Sequence, residues 1–182
     1  EPADFSVLGD WIGKQVKPEL DLPWGPMPFI EGLQPTTGFS ELKALTAAAA
    51  NYGCPMLWVD GISTPPESIG FQTELVFDES ELQQRYADLA PSGEVDLVVI
   101  GCPQASLNEI RATASEVRAR MEFGERIPDN RLWVFTSAHN YELGLADGSI
   151  YLLEEAGALV LKDTCPEVTP YNPAIYRHLL TN

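Results

Sequence analysis

Cys102 and Cys165 occupy matching settings. Each follows a short hydrophobic run and each is followed at once by proline: Asp96-Leu97-Val98-Val99-Ile100-Gly101-Cys102-Pro103, and Ala158-Leu159-Val160-Leu161-Lys162-Asp163-Thr164-Cys165-Pro166. Runs this short and β-branched read as buried strands of a parallel sheet. Just past such a strand lies the carboxyl edge of the sheet, where open α/β folds gather their active-site groups. Two thiols arriving there from separate strands suit a metal or an iron–sulfur cluster, which thiolates hold. The competing reading is packing, because free cysteine is among the most buried residue types.

The neighbours add detail. In Gly101-Cys102-Pro103-Gln104-Ala105-Ser106, the glycine permits close backbone approach and the proline stiffens the turn. Ser106-Leu107-Asn108-Glu109 is a capping box, so a helix starts there and points its positive amino end at the cysteine. The second loop offers Asp163, Thr164 and Cys165 to the same edge; Thr136 and Ser137, which end a strand at 132–136, and Thr64 join them. Cys54 begins its strand instead of ending it. A strand of six residues is about 20 Å long, which puts Cys54 at the opposite edge, as a packing residue. His139 follows a strand near the edge, where acid, base and ligand roles compete with a plain surface position. His178 lies in a tail with no assigned place. No Walker loop, G-x-G-x-x-G, CxxC or HExxH occurs, so readings as an ATP, NAD or zincin protein lack their usual support.

The elements that must position these residues alternate. Phe5, Leu8, Trp11 and Ile12 predict an amphipathic helix over 4–16, and four prolines make 17–28 an extended connector. Short strands are expected near 28–33, 54–59 and 75–77, with helices over 40–52 and 81–89. A strand at 96–100 leads into the capped helix, whose face is Leu107, Ile110, Ala114, Val117 and Met121. A strand at 132–136 follows, then a helix capped by Asp147 that stops at Gly157, then the strand ending near Cys165. Asn172 to Asn182 has helical character. The alternation predicts an α/β fold: a parallel-sheet, three-layer, Rossmann-like domain with helices on both faces. The expected division is 1–28 as helix and connector, 29–170 as the α/β domain, and 171–182 as a tail leading to a further segment.

Composition narrows the class. The 182 residues, 45% of them apolar, suit one domain of ordinary core size. A net charge of −16 counts against nucleic acid, whose phosphates need Lys and Arg. No apolar run approaches the ~20 residues of a membrane span. Three cysteines, an odd number, argue against a disulfide framework and suit a reducing, cytoplasmic setting. The chain does not begin with Met, and its ends read as cut.

At these residues the chain resembles the aconitase X family of dehydratases. The resemblance rests on Gly101-Cys102-Pro103-x-x-Ser106-x-x-Glu109, and on Leu153-Glu154-x-x-Gly157-Ala158-x-Val160 leading to Asp163-Thr164-Cys165-Pro166. The Gly61 to Glu67 loop and the opening Phe5-x-x-Leu8-Gly9-x-x-x-Gly13-Lys14 also fit. The likeness implies a domain of the large catalytic part of a hydro-lyase, working with a small swivelling subunit or domain. It implies an iron–sulfur cluster, [2Fe–2S] or [4Fe–4S], with Cys102 and Cys165 as two ligands and the third on an amino-terminal segment outside this chain. Ser106 and Thr164 are then the candidate catalytic residues, and Thr64, Gln104 and Ser137 the candidate substrate-binding ones. Family members often carry His where this chain has Gln104. The small hydroxy-acid substrate expected first is cis-3-hydroxy-L-proline; the alternatives are mevalonate 5-phosphate, and a non-catalytic binding or assembly module of the same fold.

Overall fold

Leu132-Trp133-Val134-Phe135-Thr136 is buried at all five positions and forms β4 (Leu132–Thr136). A strand buried on both sides of its pleat belongs in the middle of a covered sheet. In the computed structural model the sheet order is β5-β4-β3-β6, all parallel, with β3 at Leu97–Ala105, β5 at Leu159–Lys162 and β6 at Leu179–Thr181. The structure describes residues 2–16, 27–64, 70–71 and 73–182. The chain forms two compact units, Glu1–Ala90 and Pro91–Asn182.

In the second unit the pleat sorts side chains by alternation. Val98, Ile100, Leu132, Val134 and Val160 face α4 (Leu107–Glu122) and α6 (Ser149–Glu155), which contribute Ile110, Ala114, Val117, Ile150 and Leu153. Leu97, Val99, Trp133, Phe135, Leu159 and Leu161 occupy the opposite face, where Tyr176 packs edge-on against Trp133 at 5.5 Å. Burying one side chain such as Phe135 or Leu153 contributes about 1.5–3 kcal/mol. The parallel-sheet α/β class expected from the alternation is the class observed.

The first unit is mainly helical. α1 (Pro2–Gln15) lies against α2 (Phe39–Ala50) through Gly9 and Gly13. A Cβ on Gly9 would strike the Leu45 carbonyl, and one on Gly13 would come within 2.7 Å of the Tyr52 ring. Two glycines four apart thus let the helices meet closely. Asp10, buried at this contact, accepts from Tyr52 Oη at 2.7 Å, Lys14 Nζ at 3.0 Å and Arg85 at 2.5 Å, the last on α3 (Glu79–Leu89). Burial pushes the Asp10 carboxyl up, but the Tyr52, Arg85 and Lys14 hydrogen bonds outweigh it and hold it below the usual carboxylate range. β1 (Phe29–Ile30) and β2 (Trp58–Val59) pair in parallel as a separate small sheet.

Several expectations need correction. Residues 75–77 form no strand. Residues 138–146, to which the sequence assigns no element, are helix α5 (Ala138–Ala146), capped by the Ser137 hydroxyl. Gly148 in the left-handed region, not Asp147, caps α6; Asp147 closes α5 and accepts from Ser149 N at 3.0 Å. The tail is not helical: a turn at 173–175 leads into β6, which takes the free side of β3. Most of the 17–28 connector (17–26) and the Pro65-Pro66-Glu67 part of the 61–67 loop lie outside the described residues. Among the described residues no helix is long and apolar enough to cross a membrane.

Candidate functional site

β3 does not run evenly to its end. From Ile100 to Ala105 it advances five residues while β4 advances only from Val134 to Thr136. The surplus loops out as a bulge carrying Gly101, Cys102, Pro103 and Gln104, with a cis peptide bond between Cys102 and Pro103. Cys102 therefore sits on a bulge within the strand and not in a loop beyond it. Gly101 has φ +111°, and a Cβ there would collide with the Phe135 carbonyl. Glycine lets the bulge lie directly on β4.

Side chains then tie three strand ends together. Asn182 Oδ1 accepts from Gly101 N at 2.8 Å and from Cys102 N at 3.4 Å. Gln104 Nε2 donates to the Thr164 carbonyl at 3.0 Å, linking the bulge to the loop after β5. Thr136, fully buried, donates to the Ala105 carbonyl at 2.7 Å, and Asn140 Nδ2 donates to the same oxygen at 3.3 Å. Asp163, held at φ +54°, accepts from Ala138 N at 2.8 Å and donates its own N–H to the Thr136 carbonyl at 2.9 Å. Thr169 Oγ1 donates to the Cys165 carbonyl at 2.9 Å and lies 3.2 Å from Thr164 Oγ1. Irregular backbone at a sheet edge needs such partners once its ladder stops.

Cys102 and Cys165 are both free and half-buried. Burial pushes the Cys102 thiol up, and Glu167 and Cys165 push it further the same way. Two thiols beside a carboxylate oppose one another's ionisation, and a bound cation reverses that. The donor set fits a thiophilic metal group on this ground. Among the described residues no group of three His, Cys, Asp or Glu side chains could hold a metal ion. The described part of the chain thus supplies a pair of thiols and not a full ligand set.

The remaining candidates fall in distinct places. Ser106 caps α4: its hydroxyl accepts from Glu109 N at 3.3 Å and donates to Glu109 Oε2 at 2.6 Å, and that carboxylate also takes Ser106 N at 2.8 Å. The capping box is present as read. Ser137 Oγ accepts from Asn140 N at 3.2 Å, which leaves its O–H as a donor. Thr64 is exposed in the first unit, beyond β2. Cys54 is buried among Ile12, Leu45 and Ala49, with burial pushing its thiol up and Sγ donating to the Met56 carbonyl at 3.5 Å. It is a packing residue of the first unit. His139 is an exposed residue of α5, and His178 joins β6 to β3 by accepting the Asp96 and Leu97 amides at its carbonyl.

Asn182, Asp163 and Glu167 carry interactions that the sequence did not announce as a group. Asp163 alone left a trace, as the residue after a strand in a position that tolerates positive φ, which Asp and Asn accept more readily than most.

Residues 95–182 match the family model described as the aconitase X third domain. The chain belongs to the aconitase X family. It is 29% identical over 177 residues to the phosphomevalonate dehydratase large subunit of Aeropyrum pernix, covering 94% of this chain and 40% of that protein. Against the phosphomevalonate dehydratase large subunit of Methanothermobacter thermautotrophicus it is 33% identical over 146 residues, 76% of this chain and 35% of the relative. The crystal structure of Thermococcus kodakaraensis aconitase X in its holo-form matches with a TM-score of 0.76 at 27% identity, over 100% of this chain and 45% of that one. The chain thus spans less than half the length of these relatives. The family resemblance stands. The curated relatives bear the name of the mevalonate alternative and not of the hydroxyproline reading expected first.

Proposed function

We propose that this chain is part of the large subunit of an aconitase X hydro-lyase that dehydrates mevalonate 5-phosphate. The observation that carries the reading is the pair of free, half-buried thiols, one on the β3 bulge and one after β5, on segments joined by the Gln104 Nε2 hydrogen bond to the Thr164 carbonyl at 3.0 Å. The substrate is taken from the names of the relatives, which are phosphomevalonate dehydratase large subunits. Those names also imply a small-subunit partner.

In this reading Cys102 and Cys165 are two ligands of an iron–sulfur cluster, [2Fe–2S] or [4Fe–4S], and the third cysteine lies on a segment outside this chain. Such a cluster, when bound, supplies a Lewis-acidic iron toward a substrate hydroxyl. The chain's own contribution is placement and proton handling. The bulge and the 163–169 loop hold the two thiols. Ser106 is a catalytic hydroxyl, with Glu109 Oε2 positioned 2.6 Å away to hold its proton. Thr164 is the second such hydroxyl. Ser137 and Gln104 bind polar groups of the substrate. Free thiols suit a reducing, cytoplasmic setting.

The test uses the complete large subunit with its small subunit, reconstituted anaerobically with iron and sulfide. Turnover of mevalonate 5-phosphate, with iron lost in Cys102→Ser and in Cys165→Ser, is the expected result. Turnover of cis-3-hydroxy-L-proline alone would overturn the substrate assignment. A folded complex that binds no iron would overturn the cluster assignment.

A further inference from the structure

β6 pairs with β3 only as far as Val99↔Thr181. After Ile100, β3 turns into its bulge. Two amides, Gly101 N and Cys102 N, would then lose partners at the point where the chain presents a thiol. Both go instead to one side-chain oxygen, Asn182 Oδ1, at 2.8 and 3.4 Å. A side-chain oxygen of the residue that follows β6 thus holds two amides of the bulge.

The opposite side of the bulge is fixed differently. Gly101, at φ +111°, lies so close to β4 that a Cβ there would strike the Phe135 carbonyl. Two residues after Cys102, the Gln104 amide is bonded to the Thr164 carbonyl at 3.0 Å. Cys102 is therefore framed by β4 beneath, Gln104 on its carboxyl side and Asn182 on its amino side. Of the three, only Asn182 bonds to the amide of Cys102 itself.

We propose that Asn182 is a positioning residue for Cys102, and that its side-chain oxygen fixes the presentation of this thiol by holding the Gly101 and Cys102 amides. Cys102's standing as a cluster ligand rests on the function proposed above, whereas the tie itself does not.

The experiment compares amide hydrogen exchange by NMR in the metal-free chain, alongside iodoacetamide labelling of Cys102 at one fixed pH, read by peptide mass spectrometry. Asn182→Leu removes the acceptor while keeping an equivalent volume. It should speed exchange at Gly101 and Cys102 by about fivefold or more, the factor for losing a hydrogen bond of ordinary net strength. Cys102 should also label faster. Asn182→Asp keeps an acceptor oxygen and should restore slow exchange at both amides. Leu97–Val99 and Leu179–Thr181, which pair strand to strand, should stay protected in both variants. Unchanged exchange at Gly101 and Cys102 in Asn182→Leu would overturn the proposal. So would exchange in Asn182→Asp as fast as in Asn182→Leu, since the acceptor would then be irrelevant. Loss of protection along the whole of β6 would overturn it as well, by making Asn182 a strand-docking residue and not one specific to Cys102. Iron and sulfide reconstitution of the complete enzyme separates the two ideas. Normal exchange behaviour with no iron bound sinks the function and leaves the tie. Iron bound normally with unchanged exchange in Asn182→Leu sinks the tie and leaves the function.

Discussion

Cys54 and Cys102 both have thiols pushed up by burial, yet their surroundings assign them different work. Around Cys54 the other contributor is a backbone hydrogen bond at Met56, which acts in the opposite direction, and the walls are Ile12, Leu45 and Ala49. Around Cys102 the further contributors are charges, Glu167 and Cys165, and the walls are backbone held by side-chain amides. Burial alone marks a thiol as inert. A second thiol and a carboxylate that both push it up mark a place where a cation would be stabilising. The lesson is that the cause of a shift discriminates between sites better than its direction.

The most forceful way to break this comparison is to remove each sulfur. Cys102→Ser and Cys165→Ser should each lower iron retention in the reconstituted complete enzyme by at least about 100-fold, more than the 10–100-fold typical of losing only a supporting contact. Cys54→Ala should keep its iron and lower stability by about 1 kcal/mol, the centre of the range for point substitutions. Iron content and a denaturant titration measure the two effects. If Cys54→Ala loses iron as Cys102→Ser does, the contrast between the two settings is wrong.

Next in size is the backbone beneath Cys102. Gly101→Ala forces a side chain into positive φ and into the Phe135 carbonyl at once. The expected cost is about 2–4 kcal/mol, strain and overlap together. It should appear as a lower denaturation midpoint with an unchanged slope. A cost below about 0.5 kcal/mol, the range of neutral surface changes, would show that the bulge is free to lift from β4.

The region around Cys54 rests on a different device. Asp10 joins α1, α3 and Tyr52, with its side chain 12% exposed and Arg85's 14% exposed. Asp10→Asn should cost about 1–3 kcal/mol, below the full penalty for breaking a buried pair because both groups keep some contact with water. It should also raise iodoacetamide labelling at Cys54. The pH dependence has a fixed sign. Burial raises the Asp10 carboxyl, but the Tyr52, Arg85 and Lys14 hydrogen bonds win, so its folded value lies below the unfolded one. Its contribution is complete above the ordinary carboxylate value of about 3.9. It is lost as the pH falls through the lowered folded value. Acid titration of wild type against Asp10→Asn should show the difference between them shrinking only below about pH 4.

Which parts were legible follows from how local each cause is. The runs at 97–100, 132–136 and 159–162 announced strands because burial in a parallel sheet demands consecutive apolar residues. Ser106 and Glu109 announced a helix start because the capping box is three residues long and closes on itself. β6 was not legible: Leu179-Leu180-Thr181 is too short to show a period, and it is a strand only because β3 has a free side there. α5 was hidden by Gly144, a poor helix former whose site has no room for a Cβ beside Ile150. At the site, the two cysteines and their strands could be read from spacing. Asn182 and Glu167 could not, because their partners at Gly101 and Cys102 lie far off in sequence and nothing in the residues themselves encodes the distance.

The smallest expected effect concerns Ser106, where structure and chemistry overlap. Its hydroxyl accepts Glu109 N and donates to Glu109 Oε2, while the carboxylate also holds Ser106 N. Ser106→Ala removes a cap and should cost about 1 kcal/mol. Ser106→Gly should cost only a few tenths, because glycine is tolerated at this position. If the hydroxyl is only a cap, turnover of the complete enzyme should follow folded protein in both variants. If it also handles a proton at the site beside Cys102, both variants should lose turnover by about 100-fold or more, the contribution typical of a positioned acid or base. Ser106→Gly is the sharper of the two, since it separates activity from stability. Full turnover in that variant, with α4 intact by amide exchange at Glu109, would return Ser106 to the same structural class as Cys54.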